Sequence, residues 1–418
     1  MKRRNFLSSL AGGVLGAATP FGTMFRPASA QTLNGRTLIV IFQRGGCDGL
    51  NTVIPFGDAE YYSLRPTIGV PAPSPTDPTS ALALGPNPLL GLHPSLAPLR
   101  DLYNDGNLAV LPTVHYPDAS RSHFTGQDWI ERAAPRQDGV GDGWLNRHIA
   151  TTGAAAQLRA AGIGSSLPQS LKGSAVVSSF NRLTDFDLGL PPDEEALLLQ
   201  SLQQVYSQSA DPTRPYRQLV HDFGRVVFND LSVVADLDPG NYTPTAGVQY
   251  PNSTFGTQMQ QIAILIKAGI GLELATVGIG GWDTHSDQGD GAPNGRQARR
   301  HADFAQGIAA LYADLETRMD DVIILSMTEF GRTAAQNGSF GTDHGNAAAW
   351  FAAGNNINGG VYGDWPGLTE DVLYRERYLA HTVDFRDVMG DILSAHLGSA
   401  ALPMVLPGHT YSPLGLVG

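Results

Sequence analysis

Asp343, His344 and Gly345 stand in succession, flanked by Thr342 and Asn346. The first two offer a carboxylate oxygen and an imidazole nitrogen, a ligand pair suited to a divalent cation. The glycine lets the backbone approach a metal or an anion with no Cβ in the way. A second pair, Asp283 and His285, lies in the segment Gly281–His285. Asp48 and Glu329 add carboxylates, while Ser122 and His123 add a hydroxyl and an imidazole. Two carboxylates, an imidazole and a hydroxyl can hold one cation, and a second Asp/His pair can hold another. Two cations close together can deprotonate a serine and steady the leaving oxygen of an ester. Arg44 or Arg332 is the candidate to grip a non-bridging oxyanion through paired hydrogen bonds. Each residue also has a plain alternative. Asp48-Gly49 is a common turn dipeptide, Ser122 suits a helix N-cap, and His285 could simply pack beside Trp282. Glu329 and Arg332 could form an ion pair that only orders a loop.

For these residues to meet, the elements that carry them must end at one place. Thr37–Phe42, Leu108–Leu111, Leu272–Ile279 and Val322–Ser326 are short apolar runs that predict buried parallel strands, and Ala175–Val177 is a further candidate. Apolar residues recurring at three and four predict helices over 255–268 and 297–318. Helices are also expected over 94–104, 122–133, 193–207 and 215–234. Strands alternating with helices imply a mainly parallel sheet with helices on both faces, an α/β fold of three layers, α/β/α. The Pro/Ser/Thr-rich 71–80 and Pro/Gly/Asn-rich 238–253 are expected loops, and 180–253 is read as a helical insertion. In this arrangement Asp48, Ser122, Asp283, His285, Glu329 and Arg332 all follow strands, where open α/β sheets place their sites.

The N-terminus places Arg3 and Arg4 ahead of a modest apolar run from Leu10 to Ala18 and then Ala28-Ser29-Ala30. This is the pattern of a twin-arginine export signal over residues 1–30, addressed to the Tat translocase and leading to the periplasm or beyond. The domain is then expected over 31–418, with no membrane anchor in the mature chain. The full chain carries 27 basic and 39 acidic residues, net −12; removing the four basic residues of 1–30, which hold no acid, leaves about −16. Such a surface argues against nucleic acid as a partner. The single cysteine, Cys47, excludes an internal disulfide and any cysteine-rich zinc site. There is no Gly-x-Gly-x-x-Gly after the first strand and no haem motif, so an oxidoreductase would need a metal redox centre.

The order Asp48…Ser122…Asp283/His285…Asp343-His344-Gly345 resembles the alkaline phosphatase superfamily, which includes the sulfatases and the cofactor-independent phosphoglycerate mutases. The resemblance implies that fold, and it implies a role for each matching position. Asp48, Ser122, Asp343 and His344 would serve one metal, with Ser122 (or Ser120 in its place) as nucleophile. Asp283 and His285 would serve the other, although one residue separates them where the superfamily usually has three. Most of the chain also resembles an uncharacterised exported family, domain of unknown function 1501, through Arg44–Asn51, Ser122–Glu131, Gly281–His285, Ser326–Arg332, Thr342–Asn346 and Thr382–Gly390. The implied function is an exported metal-dependent hydrolase of phosphate or sulfate esters, small or borne on a polymer, acting through a metal-activated serine. Asp48, Asp283, His285, Glu329, Asp343 and His344 are the expected ligands of a divalent ion (Zn, Mn, Mg or Ca). The alternative is a non-catalytic exported binding or assembly protein that keeps the fold.

Overall fold

Side chains along strand β1 (Thr37–Arg44) alternate between two sides, and both sides are covered. Leu38, Val40 and Phe42 enter one hydrophobic cluster, Ile39 and Ile41 another. A strand apolar on both faces needs a layer over each. The computed structural model describes residues 35–153, 158–186, 190–207 and 214–418 and contains both layers. The expected export signal lies outside the described residues. No helix among them is long and apolar enough to cross a membrane.

The sheet continues with β2 (Leu108–His115), β3 (Ala160–Ile163), β4 (Ser178–Phe180), β5 (Leu274–Gly280), β6 (Val322–Met327), β7 (Ala348–Ala353), β8 (Gly360–Val361) and β9 (Val383–Asp384). Their spatial order is β8-β2-β7-β6-β1-β5-β3-β4, with β9 also on β2. In the centre, Val40 lies opposite Thr276 on one side and Leu325 on the other. Every pairing is parallel except those of β7, which runs antiparallel to both β2 and β6. The chain is therefore a mixed α/β protein with a mainly parallel central sheet.

Helices α1 (Ala97–Asn104), α2 (His123–Arg132), α3 (Trp144–Thr152), α4 (Pro192–Ser207), α5 (Pro215–Asp236), α6 (Thr254–Lys267), α7 (Arg296–Leu315) and α8 (Phe385–Asp391) accompany it. Leu99 of α1, Met259 and Ile262 of α6, and Phe304 and Ile308 of α7 pack on the face of Ile39 and Ile41. Ile130 of α2, Trp144 and Leu145 of α3, and Val388 and Met389 of α8 pack on the other. Within the span 180–253, α4 and α5 pack against each other.

Four elements differ from expectation. No strand forms at 175–177, because the Asn146 side chain takes both the N–H and the carbonyl of Ala175, and pairing starts only at Ser178. Helix α3 and strand β3 arise where no element was expected. Strand β7 was also missed, and it matters most for the site. Because β7 is antiparallel, the residues just before it lie at the same sheet edge as the residues just after β1, β2, β5 and β6. Asp343 and His344 thus reach that edge from the far end of the β6–β7 connection.

The loop 238–253 is tied to α7 through one carboxylate. Asp314 accepts hydrogen bonds from Tyr242 and Tyr250 at 2.7 Å each, from the Thr245 N–H at 2.8 Å and from Lys267 at 2.5 Å. Burial raises its pKa, but Lys267 and the three other donors outweigh that and hold it at about 2, against an ordinary 3.8. A depressed carboxyl adds stability that is fully present above the ordinary value and is lost as pH falls through the folded one. Asp314→Asn should therefore show a pH-dependent deficit on the order of 2 kcal/mol at pH 7. That part of the deficit should vanish between pH 3.8 and about 2. Urea unfolding across that range measures it, and a deficit of constant size would contradict the assignment.

Candidate metal centre

Arg332 sets the geometry of the edge. It is buried and donates from Nε to the carbonyl of Gly46 at 2.6 Å, from Nη1 to that of Thr342 at 3.1 Å, and from Nη2 to those of Gly45 and Trp282. Nη2 also meets Asp283 Oδ1 at 2.7 Å. One guanidinium therefore ties together the loop after β1, the loop after β5 and the segment before β7. Two glycines allow the backbones to close on each other. A Cβ on Gly331 would lie 1.9 Å from the Ala347 carbonyl oxygen, and one on Gly345 would lie 2.1 Å from that of Arg332. Gly345 is thus required for a close crossing against Arg332, not for an unusual turn; Arg332 and His344 pair as an isolated bridge there.

Three imidazoles converge on this edge. His123, at the first position of α2, has Nδ1 2.8 Å from Glu329 Oε1. His285 has Nδ1 3.0 Å from Asp343 Oδ1, and His344 has Nδ1 2.8 Å from the Arg121 carbonyl oxygen. All three partners are acceptors, so the network assigns the neutral-ring proton to Nδ1 each time and leaves Nε2 as a lone pair. Yet His285 Nε2 and His344 Nε2 are 3.0 Å apart. Asp283 Oδ1 lies 3.1 Å from Nε2 of His285, 3.5 Å from that of His123 and 3.6 Å from that of His344. Lone pairs packed this closely repel unless a proton or a metal ion lies among them. Four ligands at about 2.0–2.1 Å around a tetrahedral ion stand roughly 3.3–3.4 Å from one another, and the observed spacings bracket that value. The donor set fits a divalent ion. Among the described residues, the group whose ligand atoms all lie within 4.8 Å of one another is His123, Asp283 and His344; His285 is not part of it and reaches it through Asp283 and His344.

The surroundings tune each of these groups separately. Burial raises the Glu329 carboxyl, but hydrogen bonds from His123, Gln127 and the Gly45 N–H outweigh it and hold its pKa below the ordinary value. The Glu329 bond in turn raises His123, against the effect of burial. Asp283 would rise by burial but is lowered by Arg332, His285 and His123. Burial lowers His344, reinforced by the charges of His123, Arg332 and His285 and opposed by the bond to the Arg121 carbonyl. Asp343 is raised by burial and lowered further by His285, Asn337 and Arg377.

The sequence-predicted residues thus sort into three groups. Asp283, His285 and His344 meet at the cation position. Asp343 and Glu329 stand one bond behind it, each orienting an imidazole, and Glu329 pairs with His123 and not with Arg332. Four others lie elsewhere or are engaged. Asp48 is only 1% exposed and is taken up by Arg65 at 2.5 and 2.9 Å and by Gln288 at 2.6 Å, so its oxygens do not reach the cluster. Arg44 is held by Glu131 and Gln127, and the forked face of Arg332 is spent on carbonyls, so neither offers a free fork to an oxyanion. Ser122 is exposed at the N-cap of α2 and its hydroxyl makes no hydrogen bond among the described residues; Ser120 Oγ accepts its N–H at 3.1 Å. His123 was counted in the sequence as an imidazole beside Ser122 but was not named among the expected metal ligands. Its position at a helix start after a strand was the available signal. Cys47 is buried, and burial pushes its thiol up to about 12.

A mainly parallel α/β sheet with a cluster of histidines and an aspartate at its carboxyl edge is what the fold and site define. The model of a family described as proteins of unknown function, DUF1501, matches residues 109–398, and the chain belongs to that family. No curated protein matches it. Two solved structures show distant similarity. A crystal structure of Ps i-CgsB in complex with k-i-k-neocarrahexaose has 9% identity and a TM-score of 0.39, covering 88% of this chain and 73% of that one. A crystal structure of Ps i-CgsB alone has 10% identity and a TM-score of 0.38, covering 89% and 74%.

The geometry separates two carboxylates that the sequence treats alike. Asp48→Ala leaves Arg65 buried without its partner and should cost about 3–5 kcal/mol of unfolding free energy while bound metal per folded chain is unchanged. Glu329→Gln replaces the charged acceptor behind His123 by a neutral amide and should weaken metal binding by about 10–100-fold. Metal analysis alongside denaturant unfolding checks both, and loss of metal on Asp48→Ala with intact stability would reverse the assignment.

Proposed function

We propose that this chain is an exported divalent-metal protein that hydrolyses phosphate or sulfate esters, with an alkaline-phosphatase-like α/β/α fold and 180–253 as a helical insertion. The observation that carries the reading is the convergence of three Nε2 atoms and Asp283 Oδ1 with every Nδ1 already committed. His123, His285, His344 and Asp283 would hold the ion. A bound divalent ion would polarise an ester oxygen and ease deprotonation of a hydroxyl brought against it. Glu329, Asp343 and the Arg121 carbonyl keep the three rings oriented, and Arg332 holds Asp283 in place. Ser122, one residue before His123, is the hydroxyl read as nucleophile, with Ser120 as its substitute. Export through the twin-arginine route is part of the same reading, since that route carries folded chains with their metal already bound.

A second reading has its own support. Four protein ligands complete a tetrahedron, which is the pattern of closed structural sites, whereas catalytic ions keep a position open. On that reading the chain is a non-catalytic exported binding or assembly protein.

Metal content and turnover of aryl phosphates and aryl sulfates separate the two. His344→Ala should lose bound metal on either reading. Ser122→Ala should keep metal and abolish turnover if the chain is a serine-dependent hydrolase. Stoichiometric metal in the unsubstituted protein with no turnover of either ester would favour the binding protein. Absence of bound metal after loading with zinc, manganese or calcium would end both.

A further inference from the structure

Beside the cation position the acidic chain gathers arginines. The segment Tyr374–Tyr378 closes on itself, with the Tyr374 N–H donating to the Tyr378 carbonyl at 2.8 Å and the Tyr378 N–H to the Tyr374 carbonyl at 3.1 Å. Its tip holds Arg375 and Glu376, both at φ 55°. Two successive left-handed residues ordinarily call for Asn and Gly, because a Cβ there is strained. Such strain without glycine marks a turn kept for its side chains. The hairpin is anchored to the backbone beyond Arg332: Thr333 bridges Tyr378, and the Ala334 N–H donates to the Arg377 carbonyl at 3.2 Å.

Two guanidinium groups rest on the one buried ring of Tyr378, Arg121 at 5.0 Å from its centroid and Arg377 at 5.7 Å. Both residues are exposed. Among the described residues the Arg121 guanidinium has no hydrogen bond or carboxylate partner. The carboxylate nearest Arg377 is Asp343 Oδ2 at 3.6 Å, beyond hydrogen-bond reach. Arg375, the third arginine of the rim, shares Asp118 with Arg136 and lies over Tyr374. The Tyr378 ring attracts each cation but satisfies none of its N–H donors. Two guanidinium groups on one ring, one of them with only a loose ion pair to Asp343, match a group that brings several acceptor oxygens. The rim also adjoins the centre through the chain, since Arg121 supplies the carbonyl behind His344 and Arg377 faces the carboxylate behind His285.

We infer that Arg121 and Arg377, carried on Tyr378, form an oxyanion subsite beside the cation position, which receives a sulfate or phosphate group of the substrate. This rests on the ester-hydrolase reading for the identity of the substrate, but the subsite itself needs no metal. Its two arginines are specificity residues; nothing assigns them a part in bond breaking.

The test is calorimetric titration of the mature chain with inorganic sulfate and, separately, inorganic phosphate at low ionic strength, before and after loading with zinc. Arg121→Gln and Arg377→Gln should each weaken anion binding about tenfold, with zinc content and melting temperature unchanged. A preference for one anion over the other identifies the group. Should a glutamine variant melt early, Arg377→Lys, which keeps the charge and the stem, takes its place and should bind more weakly than the unsubstituted chain. Equal affinity in all variants, or no binding of either anion, overturns the inference. Zinc binding with no effect of the arginines would leave the metal reading standing alone. Arginine-dependent anion binding without zinc binding would do the reverse.

Discussion

The edge of the sheet depends on a single buried cation, the guanidinium of Arg332. Its donors reach backbone carbonyls on three separated loops and one carboxylate oxygen of Asp283. A buried charge without such partners would cost several kcal/mol, so the loops are held in the one arrangement that satisfies it. Asp283 is thereby fixed before any ligand is considered. The glycines at 331 and 345 make the crossing possible by removing the atoms that would collide there. The three histidines then need only short-range support, which Glu329, Asp343 and the Arg121 carbonyl provide.

A second buried pair, Asp48 with Arg65, does comparable work away from the cluster. Arg65 also donates to the carbonyls of Thr333 and Ala334, next to Arg332. Asp48 therefore braces the loop that carries the site without entering it. Its carboxylate is completed by Gln288 and the Leu50 N–H, which leaves no lone pair aimed at a metal.

Much of the sheet could be read from local pattern. Leu38–Phe42 is apolar at every position and Val322–Met327 at all but Ser326, which only a doubly covered strand requires. Strand β7 could not be read that way. Ala348, Ala349, Ala352 and Ala353 favour helices when judged alone, and only pairing on both sides makes them a strand. Missing it hid the reason that Asp343 and His344 share an edge with Asp283. The Asp/His pairs themselves were legible as ligand types. What was not legible was which acceptor stands behind each imidazole, because Glu329 and His123 are 206 residues apart. Arg65 carried no signal at all, since a lone arginine in a loop looks like surface until its aspartate is found.

The central claim is that three imidazoles and one carboxylate enclose a divalent ion. X-ray absorption at the zinc edge, on mature protein loaded with one equivalent of zinc, reads that shell directly. The account predicts a four-coordinate first shell of three nitrogen scatterers from imidazole and one oxygen, at about 2.0–2.1 Å, with the outer-shell scattering of histidine rings. A shell made only of oxygen, or a spectrum unchanged when His123, His285 and His344 are each replaced by alanine, would contradict it.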